Sequence, residues 1–281
     1  MAHPPQSMPD RPSATLWRLI PPIAASGSVQ MAIDHWLLSQ HRPNPPHPHP
    51  QPSPTLRFYT WDPPAISLGY HQQHWPPAWS NLTWQGQPLD LVRRPSGGRA
   101  VLHQGDLTYA LVLNSATLGL RGGRSALYSQ LCQFLLQGWS ELGLSLRYGA
   151  PNRNYGRTAN CFGTATPADL VLEDGTKWIG SAQLWQGETV LQQGSMPLAL
   201  AGDLFEQVFG VPWGNSAARD RAQAVAIDRA IEHLTAAAMQ IFGGTWIVQP
   251  LTDTEWAAIK TSPWWQPNQI SARGYPHGAT S

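Results

Sequence analysis

Apolar and polar positions along the chain fall into two periods. Ser28 to Gln40 places Met31, Ile33, Leu37 and Leu38 near helical spacing, which predicts an amphipathic helix. Thr55 to Trp61 alternates apolar with polar side chains, and the run after Asp62-Pro63-Pro64 supplies a second short strand ending at Gly69, so a pair of strands joined by a proline turn is expected. Leu89 to Arg93, Ala100 to His103 and Leu107 to Leu113 are three more strand segments, separated by turns at Pro95 to Gly98 and Gln104 to Asp106.

Helical spacing returns from Ser125 to Leu142, where Leu127, Leu131, Leu135 and Leu142 share one face and Gly143 is placed to end the helix. Cys132 lies inside that segment among leucines and reads as core. Asn152 to Pro167 is rich in Asn, Gly, Thr and Arg and reads as a loop that carries Cys161 and Phe162. Beyond it, Asp169 to Leu172, Trp178 to Leu184 and Thr189 to Pro197 read as strands, with Asp174-Gly175 as the tight turn that puts Lys177 just past a hairpin tip. Asp220 to Ile241, with Ala222, Val225, Ala226, Ile231 and Leu234, predicts one long helix or a helix pair. Strands in runs with separate helices, rather than strict strand–helix alternation, indicate an α+β fold.

Prolines and termini set the boundaries. Residues 1–13 read as a tail, 14–258 as one domain, and 259–281 as a second tail. Arg42 to Pro54 is a proline- and histidine-rich surface loop, because proline removes the backbone donor and restrains its predecessor. His47 and His49 within it could ligate a metal, but proline-separated histidines in such a loop more often do nothing.

Composition narrows the function classes. A net charge of +1 lacks the basic balance of a nucleic-acid surface. Fourteen tryptophans with 12% charged residues describe a densely packed chain. Two cysteines, Cys132 and Cys161, make neither a disulfide framework nor a zinc ligand set, so a reducing cytoplasm is expected. The N-terminal residues lack the basic patch and apolar run of roughly 7–15 residues that mark a secretory signal. No segment reaches the roughly 18 apolar residues of a membrane span.

Candidate chemistry concentrates in two blocks. Arg93 to Leu113 sets Arg94 and Arg99 around a Gly97-Gly98 turn and adds His103, while Asp169 to Gln183 carries Lys177. Glycines let another group approach the backbone, so the first block reads as a ligand-admitting turn, with a plain basic hairpin as the simpler alternative.

Four ordered segments, RFYTWDPPAISLGYHQ, VRRPSGGRAVLHQGDLTYALV, DLVLEDGTKWIGSAQ and VLQQGSMPL, resemble the biotin/lipoate protein ligase superfamily, in its lipoate-ligase-A-type branch. The resemblance implies a central mixed or antiparallel sheet flanked by helices and a tunnel for a medium-chain acyl group. Carried over position by position, it makes Arg93, Arg94, Ser96, Gly97, Gly98, Arg99 and His103 the acyl-site wall. The Gly-x-Lys-x-x-Gly segment then gives Lys177, facing the reacting carbonyl, and Gly180. A lysine ammonium there can stabilise a tetrahedral oxyanion. The simpler readings are a solvated hairpin lysine for Lys177 and a satisfied structural histidine for His103.

Two reactions share such a scaffold. The transferases of this branch place an acyl-accepting cysteine where Cys161 stands, which implies an octanoyltransferase that takes its acyl group from acyl carrier protein and needs no cofactor. Its acceptor would be a lysine on a lipoyl domain of a 2-oxoacid dehydrogenase E2 or on the glycine cleavage H protein, and either Lys177 or His103 could take the proton from that amine. A lipoate ligase would instead use ATP and Mg to make an acyl-adenylate. The short segment after residue 240 favours the transferase, since many ligases carry an accessory domain there. A non-catalytic acyl- or biotin-binding protein is the third reading.

Overall fold

The computed structural model describes residues 15–41, 52–116, 123–150, 166–214 and 216–265. The tails at 1–13 and 266–281, His47 and His49, and Cys161 with Phe162 lie outside them.

In chain order the first part comprises β1 (Leu16–Ala25), α1 (Gly27–Gln40), β2 (Thr55–Trp61), β3 (Ala65–Leu68), β4 (Thr83–Trp84), β5 (Gln87–Pro88), β6 (Asp90–Arg93), β7 (Val101–His103) and β8 (Leu107–Asn114). There follow α2 (Arg124–Leu131), α3 (Gln133–Glu141), β9 (Arg147–Tyr148), β10 (Leu170–Val171), β11 (Lys177–Gln186) and β12 (Thr189–Met196). The last part comprises α4 (Gly202–Phe209), α5 (Ala217–Gln223), α6 (Ile227–Phe242), β13 (Thr245–Val248) and α7 (Asp253–Lys260).

An eight-stranded sheet runs β13-β1-β2-β8-β12-β11-β10-β9, and a three-stranded sheet runs β6-β3-β7. The large sheet is mixed: β1 is parallel to β2 and β13, whereas β2, β8, β12, β11, β10 and β9 pair antiparallel in succession. This is the α+β architecture expected.

Strand alternation sends each side chain to one of two cores. Leu56, Phe58, Leu107, Tyr109 and Leu111 pack with Leu135, Trp139 and Leu234 from α3 and α6 on one face, while Tyr59, Trp61, Ala110 and Val112 pack with Met31, Ile33 and Leu37 from α1 on the other. The alternation in β2 therefore does not separate core from solvent, because Arg57 at 1% exposure is as buried as its apolar neighbours. Arg57 Nε donates to Asp34 Oδ1 at 2.7 Å, which makes its burial tolerable. In the small sheet, Ile66, Leu68 and Leu102 pack against Leu204, Phe205 and Val208 of α4, leaving Ser67, Val101 and His103 on the opposite face.

The two strands expected on either side of the proline turn form as β2 and β3, which join the large and the small sheet respectively. One expectation is corrected in that the single helix from 125 to 142 comes as α2 and α3, meeting at Cys132, whereas the segment from 220 to 241 is the pair α5 and α6, one of its two expected forms. Residues 259–265 are not a tail: Ile259 and Trp264 are buried, and Trp265 packs on the α1 core. Arg18 fastens that end, donating to both Glu255 carboxylate oxygens and to the carbonyls of Gln249 and Pro250.

Candidate active site

The glycine-rich turn links β6 to β7 and is held from inside by its arginines. Arg94 is buried, and its guanidinium donates to the carbonyl oxygens of Ser67, Gly97 and Arg99 at 2.8–2.9 Å. Arg93 donates to the carbonyls of Gly69, Tyr70 and Gln72, tying down the turn after β3. Gly98 has φ +101, and a Cβ on Gly69 would sit 1.8 Å from the Gly98 carbonyl oxygen, so the two turns touch backbone to backbone. Ser96 donates to Gln193 Oε1 at 2.8 Å, and Gln193 in turn donates to Asp34, which also accepts from Arg57 and Tyr59. A buried polar chain thus runs from the turn through β12 to α1.

His103 stands on β7 with both ring nitrogens engaged: Nδ1 lies 2.8 Å from Asp106 Oδ2 and Nε2 lies 2.8 Å from Ser67 Oγ. Trp61 stacks on the imidazole at 3.8 Å between centroids. The histidine is buried, yet it opens on the same cavity as the turn.

Lys177 begins β11, and the solvated hairpin reading is overturned: the residue is 5% exposed. Its Nζ lies 2.8 Å from Asp169 Oδ1, while Asp169 Oδ2 accepts from the Thr166 amide and hydroxyl. The turn at Gly175, with φ +87, folds the chain back so that Val171 pairs with Lys177.

These pieces surround a cavity of about 270 Å³. Of the expected site residues, Arg94, Ser96, Gly97, Gly98, His103, Lys177 and Gly180 line it; Arg93 and Arg99 are not among the lining residues. Met31, Tyr59, Trp61 and Val101 supply apolar wall. Cys161, outside the described residues, stands five positions before the lining residue Thr166 in the sequence. Cys132 is fully buried in the α3 and α6 core, and burial pushes its thiol up to about 12. Among the described residues, no group of three or more His, Cys, Asp or Glu side chains could hold a metal ion, and no helix is long and apolar enough to cross a membrane.

Sequence reasoning missed Asp169, Ser67 and Asp106. A signal existed for two of them: Asp169 and Lys177 lie on either side of the turn at residues 173–175 in one hairpin, and Asp106 follows His103 by three. Ser67 lies 36 positions from His103, and only the β3–β7 pairing joins them.

The family model of the lipoyl protein ligase A/B catalytic domain matches residues 26–240. The chain belongs to that family. Its relatives include octanoyltransferase LipM of Moorella thermoacetica, 38% identical over 205 residues and 71% of each chain. Octanoyltransferase LipM of Lysinibacillus sphaericus is 31% identical over 229 residues, 77% of this chain and 78% of that one. Among solved structures, protein Ta0514 of T. acidophilum with bound lipoic acid superposes with a TM-score of 0.69 at 18% identity, covering 86% of this chain and 92% of that one. A lipoate-protein ligase A bound with ATP gives 0.67 at 20%, with the same coverage. At such identities the structural likeness establishes the fold. All the cavity-lining residues of this lipoyl protein ligase A/B catalytic domain fall within the matched span, whereas α7 and the Trp264 contact lie beyond it.

Proposed function

We propose that this protein is an octanoyltransferase of lipoate biosynthesis, moving octanoyl from acyl carrier protein to the lysine of a lipoyl domain or of the glycine cleavage H protein through a Cys161 thioester. The observation that carries this reading is the buried Lys177 ammonium, fixed by Asp169 on the wall of a partly apolar cavity. Likeness to several octanoyltransferases supports transfer over ligation.

The Cys161 thiolate attacks the thioester carbonyl of the donor, the C–S bond to the carrier breaks, and the carrier thiolate leaves and takes up a proton. The acceptor amine, after losing its proton, attacks the new thioester, forms the amide and returns Cys161 as thiolate. One thioester exchanges for another of similar energy, so the donor is already activated and no ATP or metal is called for. Lys177 meets the oxyanion in both steps, a role commonly worth about 10²–10³ in rate.

The test is octanoyl transfer from acyl carrier protein to a purified lipoyl domain without nucleotide. Activity that disappears in Cys161→Ala, with an octanoyl thioester on Cys161 when acceptor is withheld, supports the mechanism. Strict ATP dependence with free octanoate would establish the ligase instead.

A further inference from the structure

One group of side chains at the cavity holds a hydroxyl that the transfer reaction does not use as a nucleophile. Ser67 on β3 and His103 on β7 share the inner face of the small sheet, and Asp106 begins the approach to β8. Ser67 Oγ lies 2.8 Å from His103 Nε2, and His103 Nδ1 lies 2.8 Å from Asp106 Oδ2. A carboxylate only accepts, so the Nδ1 hydrogen points to Asp106, and an Nε2 that carries no proton presents its lone pair to the Ser67 hydroxyl. This is the arrangement of an activated nucleophile: hydroxyl, base, and a third group that orients the base.

The surroundings hold each member in place. Asp106 Oδ2 also accepts from Thr108 Oγ1 at 2.9 Å and Ser195 Oγ at 2.7 Å. Trp61 stacks on the imidazole and donates its Nε1 hydrogen to Thr108 Oγ1, fixing the ring from above. Arg94 Nη1 lies 3.2 Å from Ser67 Oγ, so a cation flanks the oxygen that would carry developing charge. Ser67 and His103 both line the cavity that Lys177 and the glycine-rich turn enclose.

We propose that Ser67, His103 and Asp106 form a second acyl-accepting site, which gives the protein a hydrolase activity on medium-chain acyl thioesters and activated acyl esters. The inference rests on the cavity holding the acyl group, as in the transferase reading, but not on Cys161. Ser67 Oγ attacks the acyl carbonyl as its proton passes to His103 Nε2. The tetrahedral intermediate collapses, the bond to the leaving sulfur or oxygen breaks, and His103 returns the proton to the leaving group, leaving an ester on Ser67. Water then attacks that ester, giving its proton to His103, and the free acid leaves as Ser67 regains its hydrogen. Asp106 acts through the imidazole and is a positioning residue.

The experiment uses the full chain carrying Cys161→Ala, with p-nitrophenyl octanoate and octanoyl-coenzyme A as probes. The expected result is hydrolysis above the buffer rate and an octanoyl adduct, found by mass spectrometry, on the peptide containing Ser67. Adding Ser67→Ala should remove at least 99% of that hydrolysis. Adding Asp106→Asn should lower kcat roughly 10²–10⁴-fold with KM unchanged. Ser67→Cys keeps a nucleophile of similar size, so the adduct should persist on that peptide even if the alanine variant folds poorly. Hydrolysis no faster than buffer, or hydrolysis undiminished by Ser67→Ala in a folded protein, overturns the proposal. Wild-type transfer to a lipoyl domain, measured alongside, reports on the transferase reading separately.

Discussion

Lys177 Nζ and Asp169 Oδ1 lie 2.8 Å apart with both side chains almost sealed from solvent. Two charges taken out of water are tolerated because each neutralises the other and because Thr166 supplies two further donors to the carboxylate. Removing either partner leaves the other without this counter-charge, which separates what the pair does for stability from what the ammonium does for chemistry.

Asp169→Asn should destabilise the fold by about 3–5 kcal/mol, since Lys177 is left buried without its counter-ion. Adding Lys177→Met should recover much of that loss while octanoyl transfer stays down about 10²–10³-fold. Urea denaturation of the single and double variants checks the first statement, and a double variant no more stable than Asp169→Asn alone would contradict it.

Gly69→Ala should slow transfer without unfolding the protein. Its Cβ would lie 1.8 Å from the Gly98 carbonyl oxygen, so the glycine-rich turn must shift. A displacement of about 1 Å at a site can cost about 100-fold in rate. Steady-state kinetics beside far-ultraviolet circular dichroism would show the split, and wild-type kinetics in this variant would refute the contact.

Alkylation should distinguish the two cysteines. Burial raises the Cys132 thiol to about 12 and leaves it without solvent access, so iodoacetamide at pH 8 should spare it in the folded protein and modify it once urea is added. Peptide mapping gives the answer; modification of Cys132 under native conditions would be incompatible with its place in the core.

Stability should fall as the solution becomes acidic through His41. Burial lowers the pKa of this ring, against the opposing effect of its contacts with the Leu37 and Ser53 carbonyls. A histidine held neutral in the fold charges more easily in the unfolded chain, where its pKa is about 6.5. The contribution is therefore complete above that value and declines as pH drops below it toward the lower folded-state value. Calorimetric Tm between pH 7.5 and 5 should decrease less for His41→Gln than for the wild type.

Much of the fold was legible in local pattern. Helix α1, strand β8 and the hairpin of β11 and β12 follow from periods of 3.6 and 2 with turn residues between them. β1 escaped because Pro21 and Pro22 interrupt its apolar run; the sheet accommodates them where the register with β2 shifts between Ile20 and Ile23. α7 carries a capping box, Thr252 with Glu255, within the stretch that runs on past the expected boundary at 258. The ion-paired Arg57 shows the limit of reading polarity as exposure, because Asp34, its partner, lies on another element.

By itself the sequence determined the strand and helix segments, the glycine positions that admit close backbone contact, and the ordered blocks that carry the family. Those depend on residues near one another in the chain. Tertiary structure alone decided that Arg93 and Arg94 brace backbone carbonyls, that Ser67 meets His103 across two strands, and that Gln193 ties the glycine-rich turn to α1. Such partners are set by strand register and sheet packing over tens to more than a hundred residues, where a shift of one position turns every side chain to the opposite face.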